Sequence, residues 1–194
     1  MSYADGKIYF INCISDQWNV QSENAHAFGV TSISWLGNDN NTAFVTSGND
    51  CLIKYWEISR LQNRQQIQEK EILEKVHSTN ITCMEVFSAE DSSVLKQDHL
   101  VSVDSIDEIN FWKINNDENN KNLFSIKRIE NVNFADDQKP TGITHVTWSK
   151  CGCYLSISTI DSIYLYKNEN DMWVIYSSMN NESVMQNYYE EENN

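Results

Sequence analysis

The chain repeats one order of parts three times, in the segments Val30–Ile58, Ile81–Ile114 and Ile143–Lys167. Each segment opens with a short apolar stretch ending in an aromatic residue, passes a polar turn into a stretch of small residues, and continues through an acidic turn. The final stretches carry aromatic residues at Trp56, Trp112 and Tyr166. A repeated unit that cannot bury its apolar face alone predicts a fold in which successive units stack on one another.

This order of parts is typical of the WD repeat, whose unit is a four-stranded blade of a β-propeller. Segments rich in Val, Ile, Thr and aromatic residues alternate with Asn, Asp, Gly and Ser clusters, as short strands and tight turns require. The closing aromatic residues lie 56 and 54 residues apart, more than the roughly 40–45 of a compact WD repeat. We expect the excess in Asn116–Asn122 and Glu130–Gln138, as polar surface insertions that bury little.

The predicted fold is therefore all-β, an open and incomplete WD40 β-propeller made of half a blade and three four-stranded blades. Asp5–Ile11 matches the acidic turn and third strand of a blade, and a fourth strand is expected near Trp18–Gln21. Met172–Met179 supplies the last outer strand. The predicted units are 1–22 for the half blade, 23–77, 78–131 and 132–180 for the three blades, and 181–194 for a disordered acidic tail.

One segment conflicts with the strand pattern. Leu61–Val76 is full of good helix formers, yet it falls where an outer blade strand is due. We predict an irregular insertion followed by a strand near Glu71–His77.

The first repeat contains the side chains of a buried hydrogen-bond network: His26, Thr46, Asp50 and Trp56. The carboxylate would fix the imidazole tautomer, and the hydroxyl would connect imidazole and indole, so that the indole N–H is satisfied inside the blade. These residue types could also form a hydrolytic triad. Nothing in the sequence supplies an oxyanion hole or an exposed nucleophile turn, so we predict a structural network and no catalytic residue.

The second repeat keeps three residues of this network, His77, Ser102 and Trp112. Ile106 stands where the acidic residue is expected, and Asp107 follows one residue late. The third repeat shows the same shift at Ile160 and Asp161, and Tyr166 replaces the tryptophan. Either these turns are one residue shorter, or the network is partly dismantled in them.

Two clusters contain residue types that can ligate a metal: His145 with Cys151 and Cys153, and the acidic group Asp104, Asp107 and Glu108. The first offers three ligands where a structural zinc site needs four, and its sequence SKCG occupies a repeat turn. The second lacks the spacing and the glycine of a calcium loop. We predict two blade turns, with no metal and no cofactor.

Charge and cysteine usage limit the partners. The formal net charge of −14 repels phosphate backbones and anionic membrane surfaces, and no basic patch is visible, which argues against nucleic-acid binding. The five cysteines are scattered, as is usual in a reducing compartment. No apolar stretch approaches the roughly 20 residues of a membrane span. We expect a cytoplasmic protein that meets membranes only through its partners.

Several stretches resemble the Sec-thirteen family, the small WD-repeat subunit of the COPII vesicle outer coat that is shared with the Y-shaped complex of the nuclear pore. They are DGKIYFINCISDQW with AHAFGVTSISW, then NDCLIKYWEIS, and finally THVTWSKCG with IDSIYLYKNENDMW. The resemblance covers Asp5 to about Ser178 and implies the end of blade three and blades four to six of a six-bladed open propeller. The chain departs from the family in its Asn-rich insertions and at Ile106 and Ile160.

The resemblance also implies a partner. In that family a large coat subunit with a helical solenoid inserts strands beside blades one and six, where they complete the propeller as a seventh blade. Packing of aromatic and β-branched side chains would supply most of the affinity at that junction. We predict that Tyr164, Tyr166 and Trp173 lie in or near the interface.

Three classes of function follow from these features. The favoured one is a non-catalytic scaffold of the COPII outer coat in ER-to-Golgi transport, peripheral at the ER membrane and on COPII vesicles, with the nuclear pore complex as a further assembly. The alternative is a WD-repeat adaptor that recognises a peptide or protein through the top face of the propeller. An enzyme would instead require polar residues that converge in a cleft.

Overall fold

The computed structural model of the protein describes residues 5–14, 17–36, 43–61, 64–73, 77–89, 98–116, 124–129, 133–134, 139–169 and 172–180. These residues form strands and no α-helix, so the described part contains no helix that could cross a membrane. The strands are β1 (Lys7–Ile14), β2 (Gln17–Asn24), β3 (Val30–Trp35), β4 (Ala43–Gly48), β5 (Ile53–Leu61), β6 (Arg64–Leu73), β7 (Ile81–Phe87), β8 (Asp98–Asp104), β9 (Ile109–Asn116), β10 (Phe124–Arg128), β11 (Asn133–Phe134), β12 (Ile143–Trp148), β13 (Tyr154–Thr159), β14 (Ser162–Glu169) and β15 (Met172–Asn180).

The strands form four sheets in chain order. Sheet I is the hairpin β1–β2, sheet II is β3–β4–β5–β6, and sheet III is β7–β8–β9–β10. Sheet IV is β12–β13–β14–β15, with β11 added beside β15. Consecutive strands within each sheet pair antiparallel, so the short turns of the sequence become hairpins. The predicted all-β architecture of four-stranded blades is confirmed.

The sheets stack face to face, because alternate side chains along each strand point to opposite faces. Phe44 and Trp56 of sheet II pack with Ile8 of sheet I in one core. The neighbouring residues Val45 and Tyr55 pack into a second core, on sheet III. Sheet III repeats this pattern and shares a third core with sheet IV, which contains Val101, Phe111, Leu155, Tyr166 and Trp173.

Strand register makes the three repeats directly comparable. Phe44 pairs with Trp56, Leu100 with Trp112, and Leu155 with Tyr166. The closing aromatic residues of the three repeats therefore occupy one equivalent position. Residues near these pairs can be assigned equivalent positions in the other repeats by counting along the paired strands.

The predicted insertion at Leu61–Val76 is wrong. β6 begins at Arg64 and pairs with β5 along its whole length, from Leu61↔Arg64 to Ile53↔Leu73. Ile67 packs against the core between sheets I and II, and Leu73 packs against the core between sheets II and III. Backbone pairing from end to end of β6, interrupted by one register shift, and partial burial at two points outweigh a helix propensity that amounts to only tenths of a kcal/mol per residue.

The predicted insertion Glu130–Gln138 contains an unexpected strand. β11 pairs parallel with the start of β15, with Asn133 opposite Met172 and Phe134 opposite Trp173. The Phe134 ring lies 5.1 Å from Tyr166, so this part of the insertion contributes to the core. Most of Asn116–Asn122 and the predicted tail 181–194 lie outside the described residues.

Candidate functional site

The first repeat brings together the four side chains of its predicted network. The Trp56 indole donates a hydrogen bond to Thr46 Oγ1 at 2.9 Å, and Thr46 Oγ1 lies 2.8 Å from His26 Nε2. His26 Nδ1 lies 2.8 Å from Asp50 Oδ1. The hydrogens that satisfy every group place one on Nδ1, so Thr46 donates to Nε2 and His26 donates to Asp50.

Burial and hydrogen bonding set the protonation states of His26 and Asp50 in this network. Burial lowers the pKa of His26 and outweighs the opposing effect of Asp50. Burial alone would raise the pKa of Asp50, but hydrogen bonds from the Ala27 N–H and from His26 lower it. A neutral imidazole beside an ionised carboxylate results at neutral pH. Thr46 is completely buried and engaged on both sides, so it cannot act as a nucleophile toward a substrate.

Gly48 makes room for this imidazole. A Cβ atom at residue 48 would lie 2.4 Å from His26 Cγ and 2.5 Å from His26 Nδ1, inside van der Waals contact. The ring is held by hydrogen bonds at both nitrogens, so it cannot move away without breaking them. The His26 imidazole therefore leaves no room for a side chain at position 48.

Replacing Gly48 with alanine should lower the free energy of unfolding by about 1–3 kcal/mol, the usual cost of overpacking a core. Urea denaturation of the full chain would measure it. The control is the same substitution in a His26→Gly background, where the Cβ, Cγ and Nδ1 atoms that would clash are all absent, so the added cost should largely vanish. Equal costs in the two backgrounds would show that the imidazole is not what excludes a side chain at position 48.

The second repeat has the same chain of indole, hydroxyl and imidazole, with a different acid beside the imidazole. Trp112 Nε1 donates to Ser102 Oγ at 3.0 Å, and His77 Nε2 lies 2.8 Å from that oxygen. His77 Nδ1 lies 3.3 Å from Asp104 Oδ2. The acid beside the imidazole therefore lies two residues before position 106, where the sequence pattern places it, and is not Asp107.

Register explains why Asp104 was missed. Asp104 pairs with Ile81 as Gly48 pairs with Val30, so the acid of the second repeat occupies the position of the glycine of the first. From there its Oδ1 accepts hydrogen bonds from the backbone N–H groups of Ile106 and Glu108. The carboxylate thus holds the turn through Oδ1, while Oδ2 lies beside the His77 imidazole without a hydrogen bond among the described residues.

Asp107 has another role. It adopts a positive φ of 63°, and its carboxylate accepts hydrogen bonds of 2.8 Å from the N–H groups of both Gly142 and Ile143. Since Ile143 begins β12, this turn of sheet III is tied directly to the first strand of sheet IV. The second turn is as long as the first, since Val103 pairs with Ile109 as Ser47 pairs with Ile53.

The third repeat has a shorter turn and none of the network. Ser158 pairs with Ile163, which removes one residue from the turn. Ile157 takes the position of Thr46, and Lys139 stands four residues before the first strand, where the other repeats have histidine. Asp161 instead accepts a hydrogen bond of 2.9 Å from Thr159 Oγ1. A fully buried isoleucine thus replaces the polar network in sheet IV.

The possible metal ligands are arranged differently from either cluster in the sequence. His145 of β12 pairs with Ser158 of β13. Cys151 and Cys153 lie in the turn that follows β12, so the structure does not bring them close to His145. Ligand atoms of His77, Asp104 and Glu108 lie within 4.8 Å of one another. Two of these residues belong to the blade network just described.

Two of the three predicted interface residues are wrong. Tyr166 is 1% exposed and Trp173 is 3% exposed, both in the core between sheets III and IV. The Trp173 ring stacks on Phe111 at 5.8 Å and meets Trp148 edge-on at 5.6 Å. Only Tyr164 is half-buried, in a shallow cleft that Met179 also lines. The predicted alternation of the strands is present, but these side chains point toward sheet III.

The opposite side of sheet IV carries exposed apolar side chains. We name this surface the outer face and define it by Tyr154, Ile163, Leu165, Tyr176 and Met179. Ile163 is 51% exposed, Met179 lies opposite it in register and is 55% exposed, and Tyr176 is 63% exposed. The Tyr176 ring contacts Tyr154 at 5.5 Å. The equivalent positions in sheets II and III include Tyr55 and Phe111, which are buried against the next sheet.

Comparison with known proteins gives one informative similarity. No family model matches the sequence. The chain is 27% identical over 180 residues to "Protein SEC13 homolog" of Caenorhabditis briggsae, which covers 86% of this chain and 52% of that protein. The chain thus spans about half the length of the curated relative that it matches. This similarity supports the resemblance to the Sec-thirteen family that the repeat residues indicate.

Proposed function

We propose that the chain is a non-catalytic scaffold of the COPII outer coat in ER-to-Golgi transport, and that its outer face binds a partner subunit. The exposed apolar outer face carries this proposal, and the similarity to a SEC13 homolog supports the choice of assembly. The protein would reach the ER membrane and COPII vesicles through its partners. The nuclear pore complex is a further assembly in which the same scaffold would serve.

The occupant that best fits the outer face is a group of β-strands from the large coat subunit. Every equivalent face among sheets I to III is covered by the next sheet, so the fold already shows what kind of surface packs there. Apolar residues on such strands would bury Ile163, Met179 and Tyr176, the most exposed members of the outer face. The partner would thus add a further blade to the stack.

The outer face also differs from the permanently buried faces in a way that suits a partner arriving later. Ser156 takes the position of Val45 and Val101. One hydroxyl therefore replaces an aliphatic side chain at the centre of the sheet. Such a mixed surface is more soluble before assembly than an entirely apolar one.

Replacing Ile163 with aspartate should weaken binding of the large coat subunit's inserted strands by at least about tenfold, because a charge would be buried against apolar side chains. Calorimetric titration of the full chain with those strands would measure the affinity. The free energy of unfolding should fall by only about 1–2 kcal/mol, because Ile163 is half exposed.

Ile106→Asp is the matched control, because Ile106 is similarly exposed at 61% but lies in the β8–β9 turn. It should bind as tightly as the unmodified chain. Unchanged binding by the Ile163 variant, with an intact fold, would refute the proposed interface.

A specific observation also favours the adaptor alternative. Phe28, Ile106 and Ile160 are exposed apolar residues in loops at the same end of the strands. The side chain of Asn49 in the β4–β5 turn donates to the Phe28 carbonyl, and Asp107 beside Ile106 reaches Gly142. If the Ile106 variant lost partner binding and the Ile163 variant kept it, the adaptor surface would be the functional one.

A further inference from the structure

The turn between β12 and β13 holds two cysteines separated by one glycine. The Gly152 N–H donates to the Ser149 carbonyl at 2.9 Å, and Ser149 Oγ accepts a hydrogen bond of 3.0 Å from the Tyr154 N–H. The positive φ of 72° at Gly152 bends the chain between Cys151 and Cys153. Both thiols are half exposed, and a single residue separates them.

The two sulfurs have different surroundings. Ser149 Oγ lies 3.3 Å from Cys151 Sγ, while Cys153 Sγ lies 3.7 Å from the Cys151 carbonyl oxygen. The hydrogen bond with Ser149, and after it those with Cys153, lower the pKa of Cys151. Burial and the neighbouring Cys151 raise the pKa of Cys153. The turn thus pairs a sulfur that favours the thiolate with one that favours the thiol.

The remaining described cysteines with side-chain detail lack such a pair. Cys83 is buried in the core between sheets III and IV, and burial raises its pKa to about 11. Cys51 is half exposed at a positive φ of 65° in the β4–β5 turn. Cys51 is therefore as exposed as Cys151 but lacks a neighbouring thiol, so it serves as the exposed control. Cys83 serves as the buried control.

We propose that Cys151 and Cys153 form a reversible oxidation site that reacts with hydroperoxides to give an intrachain disulfide. In the first step Cys151 Sγ attacks a peroxide oxygen, the S–O bond forms, the O–O bond breaks, and an alcohol or water leaves after taking up a proton. In the second step Cys153 Sγ attacks Cys151 Sγ, the S–S bond forms, the S–O bond breaks, and water leaves with the Cys153 proton. The two sulfurs together lose two electrons, which reduce the hydroperoxide.

The geometry favours a disulfide over further oxidation. A resolving thiol one residue away competes with a second peroxide molecule for the sulfenic acid, and so diverts it from the irreversible sulfinic form. A ring that spans only three residues departs from relaxed disulfide geometry and is therefore easily reduced. Such a site cycles between two states rather than locking the fold.

Mass spectrometry of the full chain tests this site. After exposure to hydrogen peroxide at neutral pH, the peptide with both cysteines should lose about 2 Da and resist alkylation. Treatment with dithiothreitol should restore its original mass and its reactivity toward the alkylating reagent. Its alkylatable thiols should disappear several-fold faster than that of Cys51, and that of Cys83 should persist longest. Oxidation of Cys51 at the same rate as Cys151, or a product dominated by sulfinic acid, would overturn the proposal.

Two variants separate the roles of the sulfurs. Cys153→Ser should stop at a sulfenic acid on Cys151 that dimedone traps, and Cys151→Ser should form none at residue 153. Ser149→Ala should slow the loss of alkylatable thiol several-fold, because the hydrogen bond that stabilises the thiolate is gone. Far-ultraviolet circular dichroism checks that each variant is folded. Should a variant fail to fold, the comparison of Cys151 with Cys51 in the unmodified chain still decides the outcome.

Discussion

Replacing Trp173 with alanine should lower the free energy of unfolding by about 3–5 kcal/mol, the range for removing a large aromatic side chain from a core. Trp173 is 3% exposed and lies between Phe111 and Trp148, so the substitution would leave a cavity shared by sheets III and IV. Chemical denaturation followed by tryptophan fluorescence and circular dichroism would measure the loss.

Ile163→Ala is the control for this prediction, because Ile163 lies on the opposite face of the same sheet. Because Ile163 is half exposed, its truncation should lower the free energy of unfolding by only about 1 kcal/mol. The pair of variants separates the buried side of sheet IV from its outer face. A mild effect at Trp173 together with a severe one at Ile163 would mean that the two faces are assigned the wrong way round.

Replacing Thr46 with valine should cost about 2–5 kcal/mol, although the two side chains have nearly the same shape. The hydroxyl is the only hydrogen-bond partner that the described network provides for Trp56 Nε1 and His26 Nε2. Each buried polar group left without a partner costs about 1–3 kcal/mol. The decrease in the urea midpoint, at an unchanged denaturant slope, is the measurement.

A double-mutant cycle distinguishes this mechanism from a loss of packing. Trp56→Phe removes the indole N–H, so adding Thr46→Val should then cost about 1–3 kcal/mol less than it does alone. Additive effects would indicate that the hydroxyl does not serve the indole. The value of Thr46 would then lie in its contact with His26 or in packing.

The repeats predicted the blades because apolar alternation and turn residues are local signals, and the structure needs nothing else to form hairpins in sequence. Leu61–Val76 shows the limit of propensity. Its described side chains, at positions 67–70, 72 and 73, are exposed or half-buried on an outer strand, where intrinsic preference is weak and pairing with β5 decides the conformation. β11 was missed for the opposite reason. A two-residue strand has no periodicity, and only the contact of Phe134 with Tyr166 reveals why it forms.

The functional side chains were harder to predict than the fold. In the first repeat the residue types and spacing identified the network, but in the second the acid was sought near Ile106 by counting from the tryptophan. Strand register, which sequence spacing does not supply, places it at Asp104. The interface prediction failed in the same way. Alternation indicates that two faces exist, but only the stacking order decides which one Tyr166 and Trp173 occupy.

The bond between Asp107 and the start of β12 has a consequence for cooperativity. Sheets in a stacked array are coupled through nearest-neighbour contacts, and the strength of each junction sets where the array opens first. Sheets III and IV share a core, the carboxylate link from Asp107 to Gly142 and Ile143, and the contact of Phe134 with Phe111, so we expect them to open as one unit of local unfolding. Backbone amides on both sides of that junction would then exchange with solvent in the same opening event, although they belong to different repeats.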